Sequence, residues 1–161
     1  MSTDRKVIKK IIIASDHGGF RLKEKLKLYL VKLGFKVKDV GVYSIHSCDY
    51  PRFAYEAANQ VAKRKFKRGI LICKSGIGNS IVANRIPGVR AALCCNVKVA
   101  KLSRQHNDSN VLVLGALFSN EALAKRILKI WLNTEFLGGR HKRRLKQIKD
   151  IEKRIKVTAY R

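Results

Sequence analysis

The chain has 161 residues, and its 36 Lys and Arg against 11 Asp and Glu give a formal net charge of +25. Its 46% hydrophobic content and 2 prolines exclude collagen, low-complexity disorder and a disulfide-dense mini-protein. Because no segment approaches the roughly 18 apolar residues of a membrane span, we expect a single cytoplasmic domain over residues 1–161, with no membrane partner.

Short β-branched runs alternate along the chain with segments of helical periodicity. Residues 11–14 (Ile-Ile-Ile-Ala) are typical of a strand buried on both faces. From residue 20 to residue 33, apolar residues recur every three or four positions, which predicts an amphipathic helix ended by Gly34. Further strands are predicted near 35–40, 69–73, 91–95 and 111–114, and further helices near 53–62, 80–84, 97–104 and 121–132.

This alternation predicts an α/β fold: a doubly wound, three-layer αβα Rossmann-like domain with a five-stranded parallel sheet. After the Gly138-Gly139 pair, an extra C-terminal helix is predicted at about 141–156. No strand follows it in the sequence, so we expect this helix to dock on a partner subunit. Its apolar stripe consists of Leu145, Ile148, Ile151 and Ile155.

Candidate functional residues cluster at predicted strand ends. In open parallel sheets, ligands bind beyond the carboxyl ends of the strands. Asp16 and His17 follow the first strand, and the segment Cys-Lys-Ser-Gly-Ile-Gly (73–78) follows the third. We place His106 and Asn107, near the approach to the fifth strand, at the same edge. The sequence therefore predicts that a carboxylate, a thiol, two histidines and a glycine-rich turn converge there.

The cysteines have both a chemical and a structural interpretation. Cys73 ends a strand just before a helix, where the helix dipole and nearby basic side chains would favour its thiolate; the alternative is a small buried hydrophobe. Cys94 and Cys95, inside a predicted strand, are interpreted as core residues. A zinc site that joins them to His46 and Cys48 is disfavoured, because no pair has the usual ligand spacing. Free thiols indicate a reducing compartment.

Two other features are equally ambiguous. The turn around Gly76 and Gly78 either presents backbone N–H groups to an anion or needs glycine only for its tight geometry; it matches neither the Walker pattern nor the dinucleotide fingerprint. Arg140 and Arg144 are spaced to share one helix face and suit a phosphate monoester, although such pairs also arise by chance in a helix this basic. His141 is expected on the surface.

Taken together, ordered sequence blocks resemble the sugar-phosphate isomerase family that contains ribose-5-phosphate isomerase type B and the galactose-6-phosphate isomerase subunits. The similarity runs from about residue 10 to residue 154. Its carriers are Ser-Asp-His-Gly-Gly-Phe (15–20), Asp-Tyr-Pro (49–51), Gly-Ile-Leu-Ile-Cys-Lys-Ser-Gly-Ile-Gly (69–78), Ala-Asn-Arg (83–85), Gly-Val-Arg-Ala-Ala (88–92), Leu-Ser-Arg-Gln-His-Asn-Asp-Ser-Asn-Val-Leu (102–112) and Gly-Gly-Arg-His (138–141).

The resemblance implies an aldose-ketose isomerase that interconverts D-ribose 5-phosphate and D-ribulose 5-phosphate through a cis-enediolate, without a metal or other cofactor. It makes Cys73 the general base, gives His106 a role in ring opening and places Ser75 beside the enediolate. It also implies a homodimer or tetramer whose site is completed by the neighbouring chain. The substrate-binding residues it implies are Asp16, His17, Tyr50, Lys74, Gly76, Ile77, Gly78, Asn107, Arg140 and Arg144.

Three departures from the family pattern leave alternatives open. Lys74 replaces a glycine and would be strained if that glycine needed a positive φ. Ser75 replaces the usual threonine, which is a mild change. Leu117 falls where many members place a phosphate-binding arginine. Because of Lys74 and Leu117, a noncatalytic paralogue remains as an alternative hypothesis. An isomerase of a six-carbon 6-phosphate sugar, of the allose or galactose type, remains as another, because the choice between sugars one carbon apart depends on pocket depth.

The basic excess also favours a competing hypothesis, nucleic-acid binding, to which the cluster at 63–68 contributes. However, the basic residues are spread over several helices, and no nucleic-acid module or run of aromatic residues is present. We therefore expect nucleic-acid binding to be at most nonspecific. Isomerase chemistry leaves the abundance of basic residues unexplained.

Overall fold

A computed structural model describes residues 9–158 and contains, within that range, a sheet of five parallel strands in the order β2-β1-β3-β5-β4. The strands are β1 (Lys9–Ser15), β2 (Phe35–Asp39), β3 (Gly69–Cys73), β4 (Ala91–Leu93) and β5 (Val111–Gly115). The helices are α1 (Phe20–Lys32), α2 (Tyr50–Ala62), α3 (Ile77–Ala83), α4 (Val97–Asn107), α5 (Glu121–Asn133) and α6 (Gly139–Thr158). The predicted doubly wound αβα fold is confirmed.

The three central strands are buried on both faces, as their continuous apolar runs predict. Alternate side chains point to opposite faces of the sheet. One face packs against α1, α4 and α5, and its fully buried residues include Ile13, Ile70, Leu112 and Trp131. The opposite face packs against α2 and α3, and its buried residues include Ile12, Leu71, Val113 and Ala58.

Strand order places the expected binding crevice between β1 and β3. From β1 the chain moves to β2 on one side of this crevice, and from β3 it moves to β4 and then to β5 on the other side. Ligands of open α/β sheets bind at such a reversal, outside the carboxyl ends of the strands. Register pairing of Ser15 with Ile72 brings the ends of β1 and β3 side by side at this point.

The region after β4 departs from the prediction. The strand ends at Leu93 instead of continuing through residue 95, and Asn96 caps α4 by accepting a hydrogen bond from the Val99 N–H at 2.8 Å. The chain therefore turns away from the sheet. As a result Cys94 is buried, as expected, but Cys95 is exposed and its assignment to the core is wrong.

The C-terminal helix α6 packs on one side only. It contacts α4, and the Glu152 carboxylate accepts a hydrogen bond from the Gly88 N–H at 3.0 Å. Three residues of its apolar stripe remain exposed: Ile148, Ile151 and Ile155. Docking of this stripe on a partner subunit stays a prediction. No helix of the described chain is long and apolar enough to cross a membrane.

A buried ion pair ties α1 to the end of β2. The Lys23 side chain is fully buried, and its ammonium donates to Asp39 at 2.7 Å and to the Val42 carbonyl at 2.6 Å. Burial alone would raise the pKa of Asp39, but hydrogen bonds from Lys23, Lys27 and the Gly41 N–H outweigh it and hold the pKa below its ordinary value. The Lys23 charge is therefore compensated where water cannot reach it.

Replacing Asp39 by Asn is expected to lower the free energy of unfolding by about 3 kcal/mol at pH 7, because the buried Lys23 ammonium loses its carboxylate. The folded-state pKa of Asp39 lies below its ordinary value of 3.8, so the stabilisation is complete above that value and is lost as the pH falls through the folded pKa. Urea denaturation at neutral and acid pH should show the difference between the two proteins shrinking in acid. Glu24→Gln, which alters a carboxylate 41% exposed, is the control and should cost less than about 1 kcal/mol. Equal losses in both variants would contradict this role.

Candidate active site

The turn after β3 holds a buried thiol. Cys73 is the last residue of the strand and is 4% exposed, and its sulfur accepts a hydrogen bond from the Gly76 N–H at 3.1 Å. Gly76 has φ +82°, in the left-handed region, which turns the chain sharply from strand into helix α3. Next to it, the Ile77 N–H donates to the Ser75 hydroxyl at 3.3 Å. Backbone N–H groups of this turn are thus directed at the sulfur and at the serine.

The pKa of Cys73 is raised above its ordinary value of 9.0, opposite to the thiolate-favouring environment expected from the sequence. Burial is the largest cause, and the carboxylate of Asp16 adds to it. N–H groups of Gly76, Asn79 and Ser75 act in the other direction and lower the pKa, but they do not outweigh burial. The free thiol is therefore protonated at neutral pH, with donors in place that stabilise the anion once it forms.

The loop after β1 adds a carboxylate and an imidazole to the same edge. Asp16 is 6% exposed, and its Oδ1 accepts a hydrogen bond from the Gly19 N–H at 3.0 Å. His17 Nδ1 accepts a hydrogen bond from the Cys48 N–H at 3.2 Å. Because Nδ1 is the acceptor, the neutral His17 ring carries its proton on Nε2, which leaves that nitrogen as a donor.

Tyr50, the first residue of α2, lies directly against the turn. A Cβ built on Gly78 would be 2.5 Å from the Tyr50 ring, so only glycine allows this approach. Sequence reasoning placed both residues in the site through the family resemblance, and the fold brings them into contact. The ring therefore forms a wall beside the thiol turn.

Two of the departures from the family pattern, Lys74 and Leu117, are neighbours in space. The Leu117 N–H donates to the Lys74 carbonyl at 3.0 Å, and both side chains are exposed. Lys74 is not strained: the only non-glycine residues with positive φ in the described chain are Arg64 and Asp108. Lys74 therefore lies beside Leu117 and is free of backbone strain.

His106 and Asn107 do not join this edge, so their predicted convergence with Cys73 is wrong within one chain. Both end α4, just before β5, and the Asn110 carbonyl that follows accepts a hydrogen bond from the N–H of Gly69, the first residue of β3. A helix between parallel strands returns the chain to the amino edge of the sheet. The five residues of β3 are joined by four steps of about 3.3 Å each, so the two edges of the sheet are separated by roughly 13 Å.

Arg140 and Arg144 belong to the amino edge as well. The start of α6 is fixed to α4 by a hydrogen bond from the Leu137 N–H to the Gln105 carbonyl at 3.1 Å, and both arginines are exposed. The candidate residues therefore fall into two groups at opposite edges of the sheet, called here the thiol half-site and the histidine half-site. The thiol half-site consists of Asp16, His17, Tyr50 and Cys73–Gly78, and the histidine half-site consists of His106, Asn107, Arg140, His141 and Arg144.

His141, expected on the surface, is buried at 8% exposure because its ring stacks on that of His106. The ring centroids are 4.3 Å apart and the planes differ by 9°. Burial, followed by charge interactions with His106, Arg140 and Arg144, holds the pKa of His141 below its ordinary value. A ring that disfavours the charged form thus stacks on His106.

Sequence reasoning missed two buried polar side chains near Cys73. Ser15 ends β1, and Asn79 lies on the first turn of α3 with its N–H close enough to Cys73 to lower the pKa of the thiol. In the described chain, Ser15 Oγ and Asn79 Oδ1 are buried without a hydrogen-bond partner. Buried oxygens are ordinarily satisfied, and the exceptions often lie at functional sites. Only the adjacency of both residues to proposed site residues could have indicated them.

The chain is similar to known proteins over most of its length. The family model described as Ribose/Galactose Isomerase matches residues 11–148. Ribose-5-phosphate isomerase B of Escherichia coli (strain K12) is 44% identical over 147 residues, which are 91% of this chain and 99% of the relative. The structure of Clostridium thermocellum ribose-5-phosphate isomerase B is 46% identical, with a TM-score of 0.89, and the similarity covers 91% of this chain and 99% of that chain.

A further solved structure carries a ligand. Ribose-5-phosphate isomerase B of Mycoplasma genitalium with bound ribulose-5-phosphate is 40% identical to this chain and has a TM-score of 0.87. The similarity covers 89% of this chain and 96% of that chain. The family match over residues 11–148 includes the residues of both half-sites.

Proposed function

Because the chain belongs to the ribose/galactose isomerase family of sugar-phosphate isomerases, we propose that it interconverts D-ribose 5-phosphate and D-ribulose 5-phosphate through a cis-enediolate. The observation that carries this proposal is the buried Cys73 thiol, which lies at the strand-order reversal with the Gly76 N–H 3.1 Å from its sulfur. The ribulose-5-phosphate complex of the relative from Mycoplasma genitalium supports this choice of sugar.

Cys73 acts as the general base. Its thiolate removes the proton from C2 of the open-chain aldose. The electron pair of the broken C–H bond forms the C1–C2 double bond, and the π electrons of the C1 carbonyl move to O1, which gives the enediolate. Transfer of the O2 proton to O1 and return of the abstracted proton to C1 then give the C2 carbonyl of the ketose. The Ser75 hydroxyl and the N–H groups of residues 75–78 stabilise the enediolate oxygens, as donors aimed at developing negative charge do in other enzymes.

The polar residues of the thiol half-site orient the sugar phosphate. The Asp16 carboxylate accepts hydrogen bonds from sugar hydroxyls, and the Tyr50 ring closes one side of the pocket. His17 donates to the phosphate through Nε2, the nitrogen left free by the Cys48 N–H. Holding the phosphate away from the reacting carbons lets remote binding energy support orientation there.

The histidine half-site completes the reaction from a second chain. His106 assists opening of the furanose ring, Asn107 contacts the sugar, and Arg140 and Arg144 bind the phosphate. The separation of about 13 Å between the edges supports this assignment, because one small sugar phosphate cannot reach both half-sites of the same chain. A homodimer in which the half-sites of different chains face each other accounts for the split.

Replacement of Cys73 by Ala is expected to lower kcat/KM for ribose 5-phosphate by about 100-fold or more, because the proton loses its acceptor. Cys94→Ala, at a buried thiol outside the site, is the matched control and should keep kcat. Since the pKa of Cys73 is raised, wild-type kcat/KM should increase with pH above neutrality as the thiolate fraction grows. The kcat and kcat/KM values of the wild type and of both variants are measured with ribose 5-phosphate and, in parallel, with allose 6-phosphate and galactose 6-phosphate.

The same measurements separate the alternatives. Normal turnover by Cys73→Ala would eliminate this residue as the base. A higher kcat/KM for a six-carbon sugar phosphate than for ribose 5-phosphate would identify that sugar phosphate as the preferred substrate. A wild-type protein inactive on all three sugars would favour the noncatalytic paralogue.

Mixing two inactive variants tests whether the site is shared between chains. Cys73→Ala and His106→Ala each disable a different half-site, so hybrid dimers contain one intact site and one doubly disabled site. Unfolding and refolding an equal mixture should restore about a quarter of wild-type activity, since half of the random dimers are hybrids. Mixing either variant with itself is the control. Recovery no greater than that control would place both residues in the site of one chain.

Lys74 is expected to supply the phosphate contact that Leu117 lacks. Lys74→Ala should raise KM about tenfold or more with little change in kcat, because a charge-assisted contact contributes about 1.5 to 3 kcal/mol. Adding Leu117→Arg to this variant should restore KM. Lys101→Ala, at an exposed lysine on α4, is the control. Tighter substrate binding by Lys74→Ala would show that the lysine obstructs the site instead.

A further inference from the structure

A basic cleft at the amino edge of the sheet, lined by no residue of either half-site, is not used by the isomerase chemistry. It lies where β1 and β3 begin and has a volume of about 580 Å³. Its cationic residues are Lys9, Lys10, Arg64, Lys65, Lys67 and Arg68. The volume is within the range of about 300 to 1,000 Å³ that is typical of small-molecule sites.

The cleft carries a large excess of positive charge. No acidic residue lines it, and among residues 9–155 no carboxylate lies within ion-pair distance of its six cations. Arg68 is fixed in the wall, where it donates to the Trp131 and Leu132 carbonyls. Burial and the neighbouring Arg104 guanidinium lower the pKa of Arg68 to about 10, although the Asp108 carboxylate acts in the other direction, so Arg68 stays charged at neutral pH. Concentrated positive charge attracts multiply charged anions.

Arg64 occupies a backbone position that suits glycine. Helices α1 and α2 end with the same pair of hydrogen bonds, and the residue that closes α1 is Gly34, with φ +82°. The equivalent residue after α2 is Arg64, with φ +58°. A glycine there would end the helix without strain. An arginine in this conformation among the lining residues of the cleft points to a role for its side chain besides ending the helix.

Two aromatic rings give the cleft an apolar side. Phe35 and Phe66 both line it and both are partly buried, so part of each ring faces the cleft. Planar bases stack on such rings, and cationic side chains bind the attached phosphates. A sugar monophosphate has neither the number of charges nor the planar group that this lining fits.

We propose that the basic cleft binds a nucleoside triphosphate, with Arg64, Lys65 and the neighbouring lysines on the phosphates and with Phe66 against the base. The cleft lies at the edge of the sheet opposite Cys73 and shares no lining residue with the histidine half-site at its own edge. We therefore expect the nucleotide to be a second ligand, bound apart from the sugar phosphate.

Calorimetric titration of the full chain with ATP in 0.15 M salt tests this proposal. We expect one ATP per chain, an affinity at least tenfold lower in the Arg64→Gly/Lys65→Ala double variant, and a change below twofold in the Lys98→Ala/Lys101→Ala control, which removes two exposed charges elsewhere. Arg64→Gly relieves backbone strain, so an unchanged or higher Tm separates lost binding from lost folding. Phe66→Leu should weaken ATP binding but leave the affinity for inorganic triphosphate unchanged.

Four results would overturn the proposal. Equal weakening in the two double variants would assign binding to the general surface charge, and displacement of ATP by ribose 5-phosphate would place the nucleotide in the isomerase site. Equal affinities of the wild type for inorganic triphosphate and ATP would show that the base contributes nothing to binding. Tighter binding of a single-stranded oligonucleotide than of ATP, sensitive to the same cleft substitutions, would reassign the cleft to nucleic acid.

Discussion

Parallel pairing of β1 with β3 is the constraint on which the candidate site depends. The register that sets Ser15 beside Ile72 brings the loop with Asp16 and His17 against the turn that begins at Cys73. The same parallel geometry sends every connecting helix back to the amino edge, which separates His106 from the thiol. One constraint thus assembles half of the site and removes the other half to the opposite edge.

At the thiol turn, opposing electrostatic effects set the pKa of the Cys73 thiol. Burial raises the pKa of Cys73, and the nearby Asp16 carboxylate adds to this, while N–H groups from Gly76, Asn79 and Ser75 oppose it. Such a thiol is a stronger base once deprotonated than one with a depressed pKa. The environment therefore suits proton transfer at carbon better than it suits a permanently ionised nucleophile.

Much of the fold could be predicted from local patterns. The five strands and six helices lie near their predicted positions, because β-branched runs and helical periodicity report burial directly. Cys95 escaped prediction because the cap at Asn96 ends β4 early, and His141 did so because a tertiary ring stack with His106 buries it. Neither contact leaves a signal in the local sequence.

By itself, the sequence determined the fold class and the family and supplied candidate residues for a sugar-phosphate site, since these depend on periodicity and on ordered blocks of residues. Only the tertiary structure decided which of those residues meet. Strand order and parallel direction assign each one to an edge, and these are properties of long-range pairing. The tertiary structure likewise gathered Lys9, Lys10 and residues 64–68 into one cleft, giving part of the +25 charge a location.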